Sequence, residues 1–136
     1  MSILLNNSHI ELNITKKCLY INVKDLSNDI QQNDINNVIL YYKHIHKISN
    51  DYNIKFYMII DFSNSTVSFN SLSYSKIFIN LLNYIHPISE TTIKGTFIII
   101  NNNIAKILID LILNIYQNSK PIYMINNKQD IINLTE

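Results

Sequence analysis

The stretch KFYMIIDF, residues 55–62, decides the fold. Its centre, residues 56–60, is a short continuous apolar run rich in residues that favour strands, and Asp61 ends it. Such a run is typical of a strand that is buried on both faces of a sheet. Residues 96–100 repeat the pattern, so the sequence predicts two central strands of one α/β sheet.

Three segments with helical periodicity separate and follow these strands. Apolar residues recur at helical spacing in residues 34–49, 70–87 and 104–116. We expect the second helix to end at Pro87, because proline disfavours the helical conformation of the residue before it and lacks a backbone N–H. With almost no glycine in the chain, asparagine is predicted to occupy the turns, since it tolerates a positive φ better than other residues.

The remaining strands lie near the two ends of the chain. Two alternating apolar runs, Ile10–Ile14 and Cys18–Val23, predict an antiparallel entry hairpin. Ile122–Ile125 predicts a last short strand, and residues 128–136 predict one helical turn. The order β-β-α-β-α-β-α-β therefore predicts a single α/β domain over residues 1–136. It has one mostly parallel sheet, about five strands and three to four helices, because strands that alternate with helices form right-handed crossovers.

The composition limits the function classes. The chain has one glycine, no arginine and no tryptophan, while isoleucine and asparagine make up roughly a third of it, a bias typical of an AT-rich coding genome. Loops that hold phosphates need glycine, and bidentate phosphate contacts need arginine. Eleven lysines against ten acidic residues leave a net charge of +1 without a basic face. We therefore expect no nucleotide or nucleic-acid partner.

The sequence also bears on localisation. Cys18 is the single cysteine and lies in an apolar run, which predicts a buried thiol in a reducing, cytoplasmic environment. Residues 1–7 lack the basic segment and the long apolar run of a signal peptide. Residues 104–116 are interrupted by polar side chains and as a helix would extend about 20 Å, against about 30 Å for a bilayer core. We predict no transmembrane segment.

No constellation of residues indicates catalysis, a metal or a cofactor. Asp61 and Ser63 follow a central strand, where open α/β sheets place ligands, but we interpret Asp61 as a cap of the next turn. His44 and His46 point about 200° apart on a helix and cannot share a metal ion. The serines of residues 63–75 lack the glycine-flanked turn of a nucleophilic serine. We predict a non-enzymatic protein with no cofactor.

The third predicted helix carries an excess of apolar surface. Ile109, Leu113 and Tyr116 form a second apolar row beside the core stripe, and Ile107 lies on the other shoulder. Such a row indicates a subunit contact, a partner groove or a lipid-facing surface, unless the isoleucine-rich composition merely makes an ordinary helix more apolar. The predicted core stripe consists of Ile104, Ala105, Leu108, Leu111, Ile112 and Ile115.

Five segments together resemble the CRAL-TRIO lipid-binding domain: YMIIDFS at residues 57–63, LSYSKIF at 72–78, YIHP at 84–87, FIIINN at 97–102 and KPIYM at 120–124. In that family a strand ending in aspartate precedes a helix that closes with a Tyr-Pro pair, a strand ending in asparagine, a mobile gate helix and a further strand. Here two residues interrupt the Tyr-Pro pair. The resemblance covers about residues 18–128 and implies a cavity between the sheet and the third helix, suited to an uncharged acyl or isoprenoid ligand.

The same β-α order is similar to that of STAS domains, the second resemblance within the SpoIIAA-like superfamily. The segments DFS at residues 61–63 and VSF at 67–69 partly match the STAS signature. In STAS regulators a serine just before a glycine is phosphorylated. The resemblance points to Ser73 as the corresponding position, although Tyr74 replaces the glycine and Leu72 replaces the preceding serine.

The sequence therefore predicts an interaction or assembly module of the STAS and CRAL-TRIO type, homodimeric through its third helix. Its partner would be a second copy or another protein. The alternative is a minimal carrier of a lipid or another uncharged hydrophobic ligand. Whether the space between the third helix and the sheet is filled distinguishes the two hypotheses. The predicted interaction or lipid-facing residues are Ile107, Ile109, Leu113 and Tyr116.

Overall fold

The computed structural model describes residues 2–6, 10–15, 18–26, 30–116 and 120–131. Six strands form one sheet in the order β1-β2-β3-β4-β5-β6. The first two pairings are antiparallel and the other three are parallel, so the predicted α/β class with an entry hairpin is confirmed, and β1 is a strand that the sequence did not predict. The strands are β1 (Ser2–Asn6), β2 (Ile10–Ile14), β3 (Cys18–Val23), β4 (Phe56–Asp61), β5 (Ile93–Ile99) and β6 (Ile122–Ile125).

Three helices connect the parallel strands: α1 (Gln32–Tyr52), α2 (Ser75–Thr92) and α3 (Asn103–Ile115). The predicted end of the second helix at Pro87 is wrong, because α2 continues to Thr92 and buries Ser89 and Thr92 in its last turns. Burial of these turns outweighs the loss of one helical hydrogen bond. Short 3₁₀ turns cover Phe69–Tyr74 and Lys128–Ile131, and the rest of the predicted C-terminal turn, residues 132–136, lies outside the described residues.

Asparagine ends the first helix and begins the third. Asn53 ends α1 in the left-handed region at φ 51°. Among the described residues other than glycine, it is the one with a positive φ. Asn102 starts α3, since its side-chain oxygen accepts hydrogen bonds from the backbone N–H groups of Ile104 and Ala105 at 2.8 and 3.2 Å. The prediction that asparagine accommodates a positive φ is confirmed at Asn53, whereas Asn102 has φ −125° and acts through its side chain.

All three helices cover the same face of the sheet. The strand order follows the chain order, so every right-handed crossover moves in one direction and places its helix on the same side. Ile21, Met58 and Ile98 point toward the helices and belong to the larger core. Alternate residues point to the opposite face and form a second, smaller cluster. This second cluster consists of Cys18, Ile59, Phe97, Ile99 and Ile131, with Tyr20, Tyr57 and Ile125 packed against it.

Candidate functional site

A cavity of about 180 Å³ lies between the sheet and the three helices. Its wall is almost wholly apolar, and it is partly open to solvent. The size exceeds that of an engineered cavity of about 150 Å³ in another protein, which stays dry and binds benzene or xenon. The space between the third helix and the sheet is therefore not filled. Lining residues from strands and helices include Ile21, Met58, Ile98, Tyr42, Leu108 and Ile112.

The cavity exists because α2 does not fill the space beneath it. This helix packs between α1 and α3. Its apolar residues Phe78, Leu81 and Leu82 line the cavity and are only partly buried. Protein interiors are normally packed with few voids larger than a water molecule. A void of this size in a chain of 136 residues is therefore an unusual feature of the core.

The predicted interaction row of the third helix faces this cavity. Ile109 and Tyr116 are buried at 6% and 5% exposure, Leu113 is half-buried, and all three line the cavity wall. Ile107 is exposed at 44%. The row Ile109, Leu113 and Tyr116 therefore lies at the cavity and not on the outer surface, and its role as an interaction or lipid-facing row stays a prediction.

The error is one of helical phase. Leu111 and Ile115, which were assigned to the core stripe, are exposed at 41% and 68%. The buried stripe is rotated by about 60° from the predicted one, toward Ile109 and Tyr116. Because both flanks of the stripe are apolar, the hydrophobic pattern alone does not determine the rotation of α3. A contact between Tyr116 and His86 of α2 lies on the side that is buried.

A polar cluster interrupts the apolar wall where α3 meets α2. The hydroxyl of Tyr116 lies 2.9 Å from Nδ1 of His86, and the two rings are nearly perpendicular. Nε2 of His86 lies 3.4 Å from Oε1 of Glu90, one helical turn further along α2. Burial, and secondarily the charge of Glu90, raises the pKa of Tyr116 above its ordinary value. Tyr116 is therefore a neutral phenol at neutral pH.

A second tyrosine, Tyr42 of α1, also lines the cavity. It is 5% exposed, and its ring meets Tyr41 edge to face with the centroids 6.1 Å apart. Burial, and secondarily the nearby Tyr116, raises the pKa of Tyr42. The neighbouring Tyr41 donates a hydrogen bond to the carbonyl of Asn13 at 2.8 Å. Across the described part of the chain, the Tyr42 hydroxyl has no hydrogen-bond partner.

Two charged residues line the cavity among the residues that the structure describes, Asp34 and Lys120. A carboxylate oxygen of Asp34 accepts a hydrogen bond from the backbone N–H of Gln31 at 3.1 Å, at the start of α1. Lys120 precedes β6 and is half-buried. The cavity can therefore hold an apolar body. Neutral hydroxyl groups are brought to its wall by the side chains of Tyr42, Tyr116, Ser89 and Thr96.

The other predicted site residues lie away from the cavity. A carboxylate oxygen of Asp61 accepts a hydrogen bond from the backbone N–H of Ser63 at 2.8 Å, so Asp61 caps the turn after β4. Asn101 donates to the carbonyl of Ser63 at 3.2 Å. Ser73 is exposed, and its hydroxyl donates to the carbonyl of Asn70 at 2.7 Å. The structure does not bring these residues together with the row on α3.

Sequence reasoning did not assign Tyr42, His86 or Glu90 to a site. The spacing of His86 and Glu90, four residues apart, would have indicated a pair on one helix face, but only for a helix that continues through Pro87. Tyr42 has the helical spacing of an ordinary core residue, which gives no indication that its hydroxyl remains without a partner. The positions of these three residues depend on contacts between helices and not on a local motif.

The described residues contain no group of three or more His, Cys, Asp or Glu side chains that could hold a metal ion. His9 lies outside the described residues. Within the described ranges, no helix has the length and apolar character needed to cross a membrane. Cys18 is buried, as predicted.

Comparison with known proteins assigns no family to the chain. The resemblance to CRAL-TRIO and STAS domains therefore stays a prediction, and the cavity is the feature that bears most directly on function. No family model matches the chain, and neither the curated proteins nor the solved structures include a significant match.

Proposed function

We propose that the protein binds a small, uncharged, hydrophobic ligand in the cavity between the sheet and the helices. The cavity itself is the observation that carries this proposal. A fully enclosed apolar void costs about 24 cal/mol per Å³, so 180 Å³ corresponds to at most about 4 kcal/mol in this partly open cavity when it is unoccupied. That is a large part of the 5 to 15 kcal/mol by which domains are typically stable. A ligand that fills the void restores the missing contacts.

The lining determines the class of ligand. Nearly all of the wall is aliphatic or aromatic, and burying an unpaired charge there would be costly. Each methylene group transferred from water contributes about 0.8 kcal/mol. Since a cavity of about 150 Å³ accommodates benzene, this one accommodates on the order of six to ten carbon atoms. A longer chain can extend through the open side.

The proposal is tested by filling the cavity from within. In Leu108→Phe a larger side chain replaces one that is fully buried and lines the cavity. In the matched control Leu111→Phe, the same substitution is made at an exposed position of the same helix. Native mass spectrometry of the purified protein detects a ligand that copurifies, and the melting temperature with increasing 1-octanol detects binding, since a ligand of the folded state stabilises it.

We expect 1-octanol to raise the melting temperature of the wild type and of Leu111→Phe, and to raise that of Leu108→Phe by less, because the three added carbon atoms take up part of the cavity. Leu108→Phe should itself be as stable as the wild type, because its ring occupies empty space. The proposal fails if the wild type carries no additional mass and its melting temperature does not respond to 1-octanol. It also fails if both variants respond as strongly as the wild type.

A second candidate function is self-association through the outer face of α3. Ile107, Leu111 and Ile115 lie four residues apart and are exposed at 44%, 41% and 68%. This row, and not the one predicted from the sequence, is the apolar surface available to a second copy. Three side chains cover only part of the roughly 800 Å² per partner that a stable interface buries, so ligand binding is the better supported function. A dimer mass that Leu111→Asp with Ile115→Asp abolishes would favour self-association.

A further inference from the structure

The two tyrosines at the cavity have complementary hydrogen-bonding capacity. Tyr42 has an O–H group without a partner in the described part of the chain, in a side chain that is 5% exposed. Because the Tyr42 side chain lines the cavity, a ligand that occupies the cavity can reach its hydroxyl. Tyr42 therefore supplies an unused hydrogen-bond donor.

Tyr116 supplies the acceptor. Nε2 of His86 faces the Glu90 carboxylate at 3.4 Å, so neutral His86 carries its proton on Nε2. Nδ1 is then an acceptor, and the Tyr116 hydroxyl donates to it at 2.9 Å. A phenol oxygen whose proton is engaged in this way still has lone pairs that can accept.

Both hydroxyls belong to side chains that line one cavity, Tyr42 from α1 and Tyr116 just after α3. The charge that Tyr116 would carry when ionised also contributes to the raised pKa of Tyr42. A donor and an acceptor in the wall of one cavity match a group that both accepts and donates a hydrogen bond.

We propose that the cavity selects a hydrophobic alcohol, whose hydroxyl accepts a hydrogen bond from Tyr42 and donates one to Tyr116. This inference rests on the proposed function and specifies the polar end of its ligand. An ether or ester oxygen can accept from Tyr42 but has no proton to donate to Tyr116. A hydrocarbon uses neither group. A carboxylate brings a full negative charge into an almost wholly apolar cavity, whose lining among the described residues has one acidic and one basic side chain, Asp34 and Lys120.

The test uses three probes of equal heavy-atom count and full-length protein. The first probe is 1-decanol, which both donates and accepts a hydrogen bond. The second is its isomer 1-methoxynonane, which only accepts one, and the third is undecane, which neither donates nor accepts. Dissociation constants come from displacement of a fluorescent apolar dye. We expect the alcohol to bind the wild type roughly three to ten times more tightly than the ether, and the ether to bind more tightly than the alkane, since each hydrogen bond contributes about that factor.

Variants assign the two hydrogen bonds. Tyr116→Phe should weaken the alcohol to the affinity of the ether, whereas Tyr42→Phe should weaken both oxygen-containing probes. The matched control Tyr52→Phe removes a hydroxyl from the same helix as Tyr42 at a position that is 73% exposed, and it should change nothing. The comparison of the three probes on the wild type stands without any variant, so it remains decisive if Tyr116→Phe fails to fold.

The outcomes separate the two proposals. Equal affinities for the alcohol, the ether and the alkane would overturn the selectivity for an alcohol and leave the proposed binding function in place. The same conclusion follows if Tyr42→Phe binds 1-decanol as tightly as the wild type. If none of the probes displaces the dye or binds the wild type, the proposed function itself is wrong.

Discussion

The two faces of the sheet are built from alternate residues of the same strands, yet they pack differently. On the helix-covered face, Ile98 points into the cavity. On the opposite face, the adjacent Ile99 is 1% exposed and packs within the second cluster, in which Phe97 stacks on Tyr123 with ring centroids 5.1 Å apart. The face covered by three helices is thus the less completely filled one.

The difference follows from the size of the side chains and the distance they must span. A helix layer stands roughly 10 Å above a sheet, and the side chains between them must fill that gap. The helix-covered face relies mainly on isoleucine and leucine, in a chain with no tryptophan and five phenylalanines. The opposite face is covered by rings that lie close to the strands, with Lys94 placed 4.4 Å above the ring of Tyr57. Covering a sheet with helices therefore does not by itself fill a core.

Truncating neighbouring residues of β5 tests this contrast and has the largest expected effect. We expect Ile99→Ala to lower the free energy of unfolding by about 3 to 4 kcal/mol, because it leaves a new void in a packed cluster. Ile98→Ala should cost about 2 kcal/mol, since part of that side chain already faces empty space. Chemical denaturation of both variants provides the measurement. Equal losses would mean that the two faces are equally well packed.

The adjacent pair Tyr41 and Tyr42 allows the same comparison for hydroxyl groups. Tyr41→Phe leaves the buried carbonyl of Asn13 without its donor and should cost about 1 to 2 kcal/mol. Tyr42→Phe removes no hydrogen bond and should change the stability by less than about 0.5 kcal/mol. Urea denaturation of the protein without added ligand measures both. A cost for Tyr42→Phe as large as that for Tyr41→Phe would mean that the Tyr42 hydroxyl has a partner in the folded protein.

Alkaline pH should reveal the buried phenol at the cavity. Burial raises the pKa of Tyr42 in the folded protein above the value of about 10 in the unfolded chain. The stability that follows from this shift is fully present below pH 10 and is lost as the pH rises above it. We expect Tyr42→Phe to reduce the slope of the unfolding free energy above pH 10 by about 1.4 kcal/mol per pH unit. If Tyr42→Phe and the wild type have the same slope above pH 10, burial does not raise the pKa of Tyr42.

The smallest effect is expected at Gly95, which lies on the face opposite the helices. Its φ is not positive, and an added Cβ would lie 3.4 Å from the Tyr57 ring, at ordinary contact distance. Gly95→Ala should therefore change the stability by no more than about 1 kcal/mol, with a gain expected from the reduced freedom of the unfolded chain. Thermal unfolding measures it. A loss of more than about 2 kcal/mol would indicate that this face tolerates no additional atom.

Local patterns predicted most of the fold. The runs Cys18–Val23 and Ile122–Ile125 are strands with the predicted bounds, because apolar continuity and turn residues at the ends are properties of the segment itself. The end of α2 could not be predicted from Pro87, since burial of the following turns decides it. The phase of α3 depends on its contact with His86 of another helix.

The site was less predictable than the fold. The expected place of a cavity, between the sheet and the third helix, came from a resemblance, and the cavity found there also involves α1 and α2. Its size depends on the summed volumes of side chains that come from distant parts of the chain. Tyr42 and Tyr116 are 74 positions apart (116 minus 42), and no local pattern relates them.

The strand order has a consequence for how the protein is made. Each strand pairs with the one that precedes it, so the sheet can grow from one edge to the other as the chain leaves the ribosome. No strand has to wait for a later segment to occupy a central position, although each of the three parallel pairings spans a whole crossover helix. The cavity is completed last, because its wall includes residues of α3 and β6. These are the last α-helix and the last strand in the order of synthesis.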